Sequence, residues 1–192
     1  MQRFLAASTY IDVDTPEIRA CARRLADNAA SELDVVRACF EFVRDEIRHS
    51  SDFQLNPVTC KASDVLRHGT GYCYAKSHLL AALLRVNGIP AGLCYQRLSV
   101  GTSGAPYCLH GLNAVHLKDF GWYRIDARGN KPGVDARCDP PVEYLAFAVR
   151  EREERMLPEI WAEPLPVVVD ALERHATWDR VLANLPDVEL FA

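Results

Sequence analysis

Long apolar runs are missing from this chain. No stretch approaches the roughly 20 residues that a membrane-spanning helix needs. The opening residues, Met1-Gln2-Arg3-Phe4-Leu5, lack the long apolar core of a secretion signal and soon meet Asp12 and Asp14. A protein without membrane contact, resident in the cytoplasm, is therefore expected. Positive charge is short as well: 22 Lys and Arg stand against 26 Asp and Glu, for a net charge of −4. With no basic cluster interleaved with aromatics, the electrostatic footprint of a nucleic-acid binder is missing. No C-x-x-C occurs among the seven cysteines, Cys21, Cys39, Cys60, Cys73, Cys94, Cys108 and Cys138. Their odd number and wide spacing argue against both a disulfide framework and a zinc knuckle, so no metal site is expected. Internal repeats and low-complexity tracts are absent too.

What is present suits one domain. A compact chain of 192 residues buries roughly 70% of its unfolded surface and needs no disulfide or metal to hold its core. Residues 4–11 are expected to form an opening strand. Thr15-Pro16-Glu17 then reads as a helix start, with Ile18, Cys21, Ala22 and Leu25 on one stripe as far as about Ala29. A second helix is expected from Ser31, where Asp34 makes a weaker capping box, with Val35, Val36, Cys39, Phe40, Val43 and Ile47 on its buried face. His49 to Cys60 reads as a polar loop that could line a cleft, where Gln54 is either a surface amide, the plainer reading, or an oxyanion donor. Ser63 to His68 is a short helical turn closed by Gly69, and His68 is read as its C-terminal residue.

The next stretch organises the rest. Gly69-Thr70-Gly71-Tyr72 leads into Cys73, which opens a helical run to Val86 that Asn87-Gly88 and Pro90 terminate. A thiol at a helix N-terminus faces unpaired backbone N–H groups and the positive end of the helix dipole, and both favour the nucleophilic thiolate. The plain alternative is a small buried hydrophobe. Strands are expected at 91–98, 112–118 and 122–126, the last two forming an antiparallel hairpin. Beyond Pro140-Pro141, short helices at 167–175 and 178–185 are expected to lie on the body through Leu172, Trp178 and Leu182. This divides the chain into a body, 1–139, and a C-terminal extension, 140–192, within one α+β fold.

Cysteine acyl transfer needs a thiolate, an imidazole that holds and returns a proton, and a group that orients the imidazole. Cys73 can be the first, His110 or His116 the second, and Asp126 the third. Each strand residue also has a plain reading: a loop-edge histidine, an exposed strand histidine, a cap at a strand end. Hairpin register decides between the histidines. If Asp126 opposes Leu112 its diagonal neighbour is His110; if it opposes Ala114, the neighbour is His116. A three-residue Asp119-Phe120-Gly121 turn gives the second register, and a longer turn or a bulge gives the first.

The run Gly69 to Val86, the turn Gly88-Ile89-Pro90-Ala91, and the order His110, Gly121-Trp122, Asp126 resemble the transglutaminase-like domain family, bacterial branch, over roughly residues 35–130. The resemblance implies a transglutaminase/papain-like core in which N-terminal helices precede a central nucleophile helix packed on an antiparallel β-sheet, with a C-terminal helical extension added here. It implies a triad of Cys73, His110 and Asp126 that works through a thioester on a peptide, protein or small-amide substrate, with no cofactor for the chemistry itself. Hydrolysis is slightly favoured over cross-linking. Leu112 and Ala114 stand where the family often has an aromatic and an acidic residue, a departure that bears on substrate class. Two rival readings are a catalytically silent binding module on the same fold and a redox-sensing thiol protein using Cys73 with a resolving Cys94 or Cys108.

Overall fold

The computed structural model describes residues 1–188. Its centre is helix α5 (Cys73–Val86), in which every residue from Cys73 to Arg85 is buried. Leu79 to Leu84 put apolar side chains all round the helix, so it is stable only when covered on every side. Helices α1 (Pro16–Ala26), α2 (Glu32–Glu41) and α4 (Ala62–His68) supply part of that cover, and two long strands supply the rest. α1 begins at Pro16, whose missing N–H costs nothing at a first helical position. It stops at Ala26, three residues short of expectation. α2 begins with half of the expected capping box: the Ser31 side chain accepts from the Asp34 N–H at 3.2 Å, while the Asp34 carboxylate accepts from the Ser31 hydroxyl at 2.8 Å in place of the Ser31 N–H. It then widens into a π-helical turn, Phe42–Glu46.

The stretch expected to be a polar loop contains structure. Strand β1 (Arg48–His49) pairs in parallel with β2 (Thr70–Gly71), and a single turn of helix, α3 (Ser50–Phe53), follows. Hydroxyls hold this pairing: Thr70 Oγ1 donates to the Arg48 carbonyl at 3.0 Å and meets Ser50 Oγ at 3.1 Å. Such bonds are specific to the fold and leave no periodicity to read.

Strands β3 (Ala91–Ser99), β4 (Tyr107–Leu117) and β5 (Gly121–Ile125) form an antiparallel sheet that β8 (Arg155–Met156) completes, in the order β5-β4-β3-β8. Between β5 and β8, β6 (Arg137–Asp139) and β7 (Val142–Tyr144) make a small hairpin that spans the expected 139/140 division. Asn113 ties sheet to helix, donating to the Ser77 carbonyl at 2.9 Å and the Gly92 carbonyl at 3.2 Å.

Residues 4–11 do not form the expected strand. A 3-10 turn, Gln2–Phe4, is followed by irregular chain, because the outer edge of β3 is already taken by β8 and by Trp161, which exchanges both backbone bonds with Leu93. The hairpin turn also differs. Lys118, Asp119 and Phe120 lie outside the ladder, and Gly121, at φ +70°, opens β5 opposite Leu117. The loop has three residues, but it starts one position earlier than counted, because the Phe120 N–H closes a turn on the Leu117 carbonyl. This shift gives the first of the two registers, with Asn113 opposite Ile125, so that Asp126 falls level with Leu112.

The C-terminal segment lies against the body. Helices α6 (Pro166–Arg174) and α7 (Trp178–Leu182) bury Val168, Ala171, Leu172 and Val181. Leu182, expected as an anchor, is exposed, and Val181 takes that place. The last four residues of the expected extension lie outside the described residues. Arg97 forms a two-pronged ion pair with Asp187, both contacts at 2.7 Å, and Arg85 donates to carbonyls of Ala6, Ala91 and Ala162. No helix among the described residues is long and apolar enough to cross a membrane.

Because this segment supplies β8 and covers α5, truncation after Asp139 should abolish cooperative melting. Leu172→Ala in the full chain should cost about 2–5 kcal/mol and lower the melting midpoint. A truncated chain that melts cooperatively near the full chain's temperature would refute this account of the core.

Candidate active site

Cys73 is the first residue of α5, and its N-cap residue, Tyr72, caps nothing with its side chain, so the first N–H groups of the helix stay free for other partners. The thiol is seated by the sheet. β5 pairs with β4 only from Asn113 onward, which leaves the edge of β4 open at Leu109 to Gly111. The Gly111 N–H donates to Cys73 Sγ at 3.4 Å, the Tyr74 hydroxyl donates to the Leu109 carbonyl, and the Leu109 N–H donates to the Pro186 carbonyl at 2.7 Å. The sulfur thus occupies a place that a further strand would otherwise fill. Only glycine permits this approach at position 111, since a Cβ there would lie 3.0 Å from the Tyr74 Cα.

His110 precedes that glycine. Its Nε2 lies 2.8 Å from Asp126 Oδ2, which leaves Nδ1 as the nitrogen for the contact the ring makes with the Cys73 thiol. Asp126 is fully buried and further held by two backbone donors, Ala146 N–H at 3.0 Å and Arg128 N–H at 3.2 Å. Burial alone would lower the His110 pKa, but the Asp126 carboxylate and Cys73 outweigh it and raise the value to about 10. Burial pushes Asp126 the other way, yet His110 and the two N–H donors bring its pKa below the ordinary value. Phe147 packs edge-on against His110, ring centroids 4.9 Å apart, and restricts the imidazole's rotation.

Cys73 and His110 open onto a cleft of about 440 Å³. Its lining mixes Leu98, Val100, Leu182 and Leu185 with His49 and Arg128. Arg128 grips Asp52 through two contacts of 2.5 and 2.9 Å, and Lys131 reaches the same carboxylate at 2.9 Å.

The structure brings Cys73, His110 and Asp126 together and leaves His116, Gln54, His68 and Cys94 apart from them. His116 is about 20 Å further along β4 by strand rise, packed edge-on against Trp122. Gln54 is exposed at φ +54° and is not part of the cleft lining, and His68 is exposed at the end of α4. Cys94 is fully buried in a small cluster with Leu112 and Ala114, whereas Cys108 lines the cleft. Among the described residues, no group of three His, Cys, Asp or Glu is placed to hold a metal ion. Sequence reasoning missed His49, Arg128, Ala146 and Phe147. The last two sit in the segment expected only to cover the body, and no local pattern marks a backbone N–H that will meet a carboxylate.

Residues 19–127 match the family model described as the transglutaminase-like superfamily. No curated protein gives a significant match. Among solved structures, the chain is similar to a proposed cysteine protease from Cytophaga hutchinsonii, at 20% identity and a TM-score of 0.52, over 65% of this chain and 40% of that one. It is also similar to the periplasmic domain of TgpA from Pseudomonas aeruginosa, at 22% identity and a TM-score of 0.50, over 66% of this chain and 46% of that one. The chain spans less than half the length of either structure, and at these identities the likeness concerns the fold: a buried helix whose N-terminus meets an antiparallel sheet.

Two outcomes follow from this geometry. Gly111→Ala should push the start of α5 away from β4, cost about 1–3 kcal/mol of stability and slow alkylation of Cys73; an unchanged alkylation rate would show that the close approach is dispensable. The raised His110 pKa sets the sign of a pH effect. Because the folded value exceeds the unfolded value of about 6.5, its contribution to stability is complete below about pH 6.5 and is lost as pH rises to about 10. Urea titrations across that window should show the wild type losing stability faster than His110→Gln; parallel curves would contradict the assignment.

Proposed function

The chain belongs to the transglutaminase-like superfamily, and from that premise we propose that it is a cysteine-dependent enzyme of amide acyl transfer, acting on a peptide, protein or small-amide substrate. The observation that carries the reading is the meeting of three buried groups at the cleft: a thiol at a helix N-terminus, an imidazole touching it, and a carboxylate 2.8 Å behind that imidazole.

The chemistry runs in two balanced halves. Cys73 Sγ, as thiolate, attacks the amide carbonyl carbon, and the carbonyl π electrons move onto oxygen. When the tetrahedral intermediate collapses, the C–N bond breaks and His110 gives its Nδ1 proton to the departing amine, leaving a thioester. His110, now neutral, takes a proton from water as the water oxygen attacks the thioester. The second collapse breaks the C–S bond, releases the carboxylic acid, and restores the thiolate–imidazolium pair. Asp126 keeps the ring oriented and favours its charged form. Hydrolysis is slightly favoured over transfer to an amine. In the redox reading, Cys94 is a poor resolving partner because it is sealed among Leu112 and Ala114.

Selective chemistry at one thiol tests the proposal. Burial raises the pKa of Cys21, and lifts Cys39, Cys60 and Cys108 to about 12 and Cys94 and Cys138 to about 11. Brief iodoacetamide treatment at about pH 6, where ordinary thiols are under about 1% ionised, should mark Cys73 ahead of the other six. His110→Ala should remove that selectivity and the turnover. His116→Ala should leave both nearly intact, and Asp126→Ala should fall between. Mass spectrometry of the labelled peptides reads the result: uniform labelling would dispose of the enzyme reading, and a peroxide-induced disulfide without any thioester would favour the redox one.

A further inference from the structure

His49 stands beside the nucleophile although 23 residues of chain separate the two. The β1–β2 ladder pairs it with Gly71, two positions before Cys73. Its ring packs edge-on against Tyr72, the residue immediately before Cys73, with centroids 5.4 Å apart and planes at 69°. It is 6% exposed, and it lines the cleft that holds Cys73 and His110.

We propose that His49 is the second oxyanion donor of this site: its Nε2–H and the Cys73 backbone N–H together receive the substrate oxygen that becomes negative when the sulfur attacks. The inference rests on the acyl-transfer reading above and adds to it a residue in contact with the reacting atoms.

The two ring nitrogens are in different situations. Nδ1 meets Ser51 Oγ at 3.2 Å and lies 4.0 Å from Asp52 Oδ2. Nε2 has no hydrogen-bond partner among the described residues, and it is not a sealed atom like His78 Nε2, which has lost access to solvent as well. In the tautomer this role requires, the Ser51 hydroxyl donates to Nδ1, which puts the proton of the neutral ring on Nε2. Asp52 does not act as a full counter-charge for this ring, because Arg128 and Lys131 already occupy its oxygens. Burial, first, and then the positive charges of Arg128, Lys76 and His110 outweigh Asp52 and lower the His49 pKa well below 6.5. A neutral donor suits the task. It can stabilise an oxyanion while leaving proton delivery to His110, the ring that is held charged. The other donor is supplied by helix geometry, since the N–H of a first helical residue has no intrahelical acceptor. The Tyr72 contact and the strand pairing hold His49 in place before substrate arrives, so no reorganisation is needed during the reaction.

Two reagents for the same thiol provide the test. p-Nitrophenyl acetate acylates Cys73 through a tetrahedral oxyanion, whereas iodoacetamide alkylates it by direct displacement with no oxyanion. Loss of one oxyanion donor costs about 10²-fold or more in rate. His49→Ala, and His49→Phe as a variant that keeps the packing on Tyr72, should slow the nitrophenolate burst by about that factor and leave the alkylation rate within about twofold. His49→Gln, which carries an amide N–H near the place of Nε2 and no titratable group, should recover most of the burst. Equal slowing of both reactions in the Phe variant would overturn the inference, because His49 would then act on the thiol rather than on the oxyanion. An unchanged burst would overturn it too, making His49 a packing residue turned toward the smaller cavity it shares with Lys76. Failure of the wild type to react at Cys73 with either reagent would strike the acyl-transfer reading, and this inference with it.

Discussion

The seating of one sulfur on the open edge of β4 is the constraint on which the rest depends. A strand edge presents N–H and C=O groups that need partners, and here β5 ends early enough to leave the edge of β4 uncovered from Tyr107 to Leu112. The Gly111 N–H finds Cys73 Sγ, while the Leu109 carbonyl and N–H find the Tyr74 hydroxyl and the Pro186 carbonyl. One arrangement therefore satisfies the sheet edge, caps the approach of α5, and places an imidazole beside a thiol. The absent Cβ of Gly111 is what allows the helix backbone to come so close.

Support for Asp126 arrives from a distance in sequence. A carboxylate with no solvent exposure must be paired and hydrogen-bonded to remain charged, and Asp126 has His110 plus the N–H groups of Arg128 and Ala146. Both backbone donors lie beyond residue 127, where the family match ends. The C-terminal segment is thus more than a cover: it holds the carboxylate, presses Phe147 on the imidazole, and puts Leu182 and Leu185 in the cleft lining.

Two buried cations on α5 show how the helix is tied to its surroundings. Arg85 gathers three carbonyls from separate segments. Lys76, one turn after Cys73, donates to the Arg44 and Ile47 carbonyls at the end of the π-helical turn that follows α2. Burial and then the neighbouring Arg128 lower the Lys76 pKa to about 7, against the pull of Asp126, Asp45 and Cys73. Carbonyls at a helix end otherwise lack partners, and a lysine can fill that need without a carboxylate.

By itself the sequence determined α5 to the residue, β3 and β5 to within a residue at each end, and the α+β order of elements, whereas β4 starts at Tyr107, five residues before its expected start. Those features depend on local signals: capping chemistry at Ser31, glycine and proline stops after Val86, β-favouring runs around a turn. Tertiary structure alone decided the rest. Counting residues around the hairpin left His110 and His116 both open, because a shift of one residue in where the turn closes moves every diagonal neighbour, and only the folded ladder places Asp126 level with Leu112. Residues 4–11 carried a strand-like composition, but a strand needs a free edge, and β8 and Trp161 had taken it. His49 lay in what read as a polar loop, and its place beside Cys73 follows from a two-residue parallel pairing with β2 that no periodicity announces. Local chemistry sets where elements begin and end; which side chains meet is set by register and edge occupancy, which belong to the whole fold.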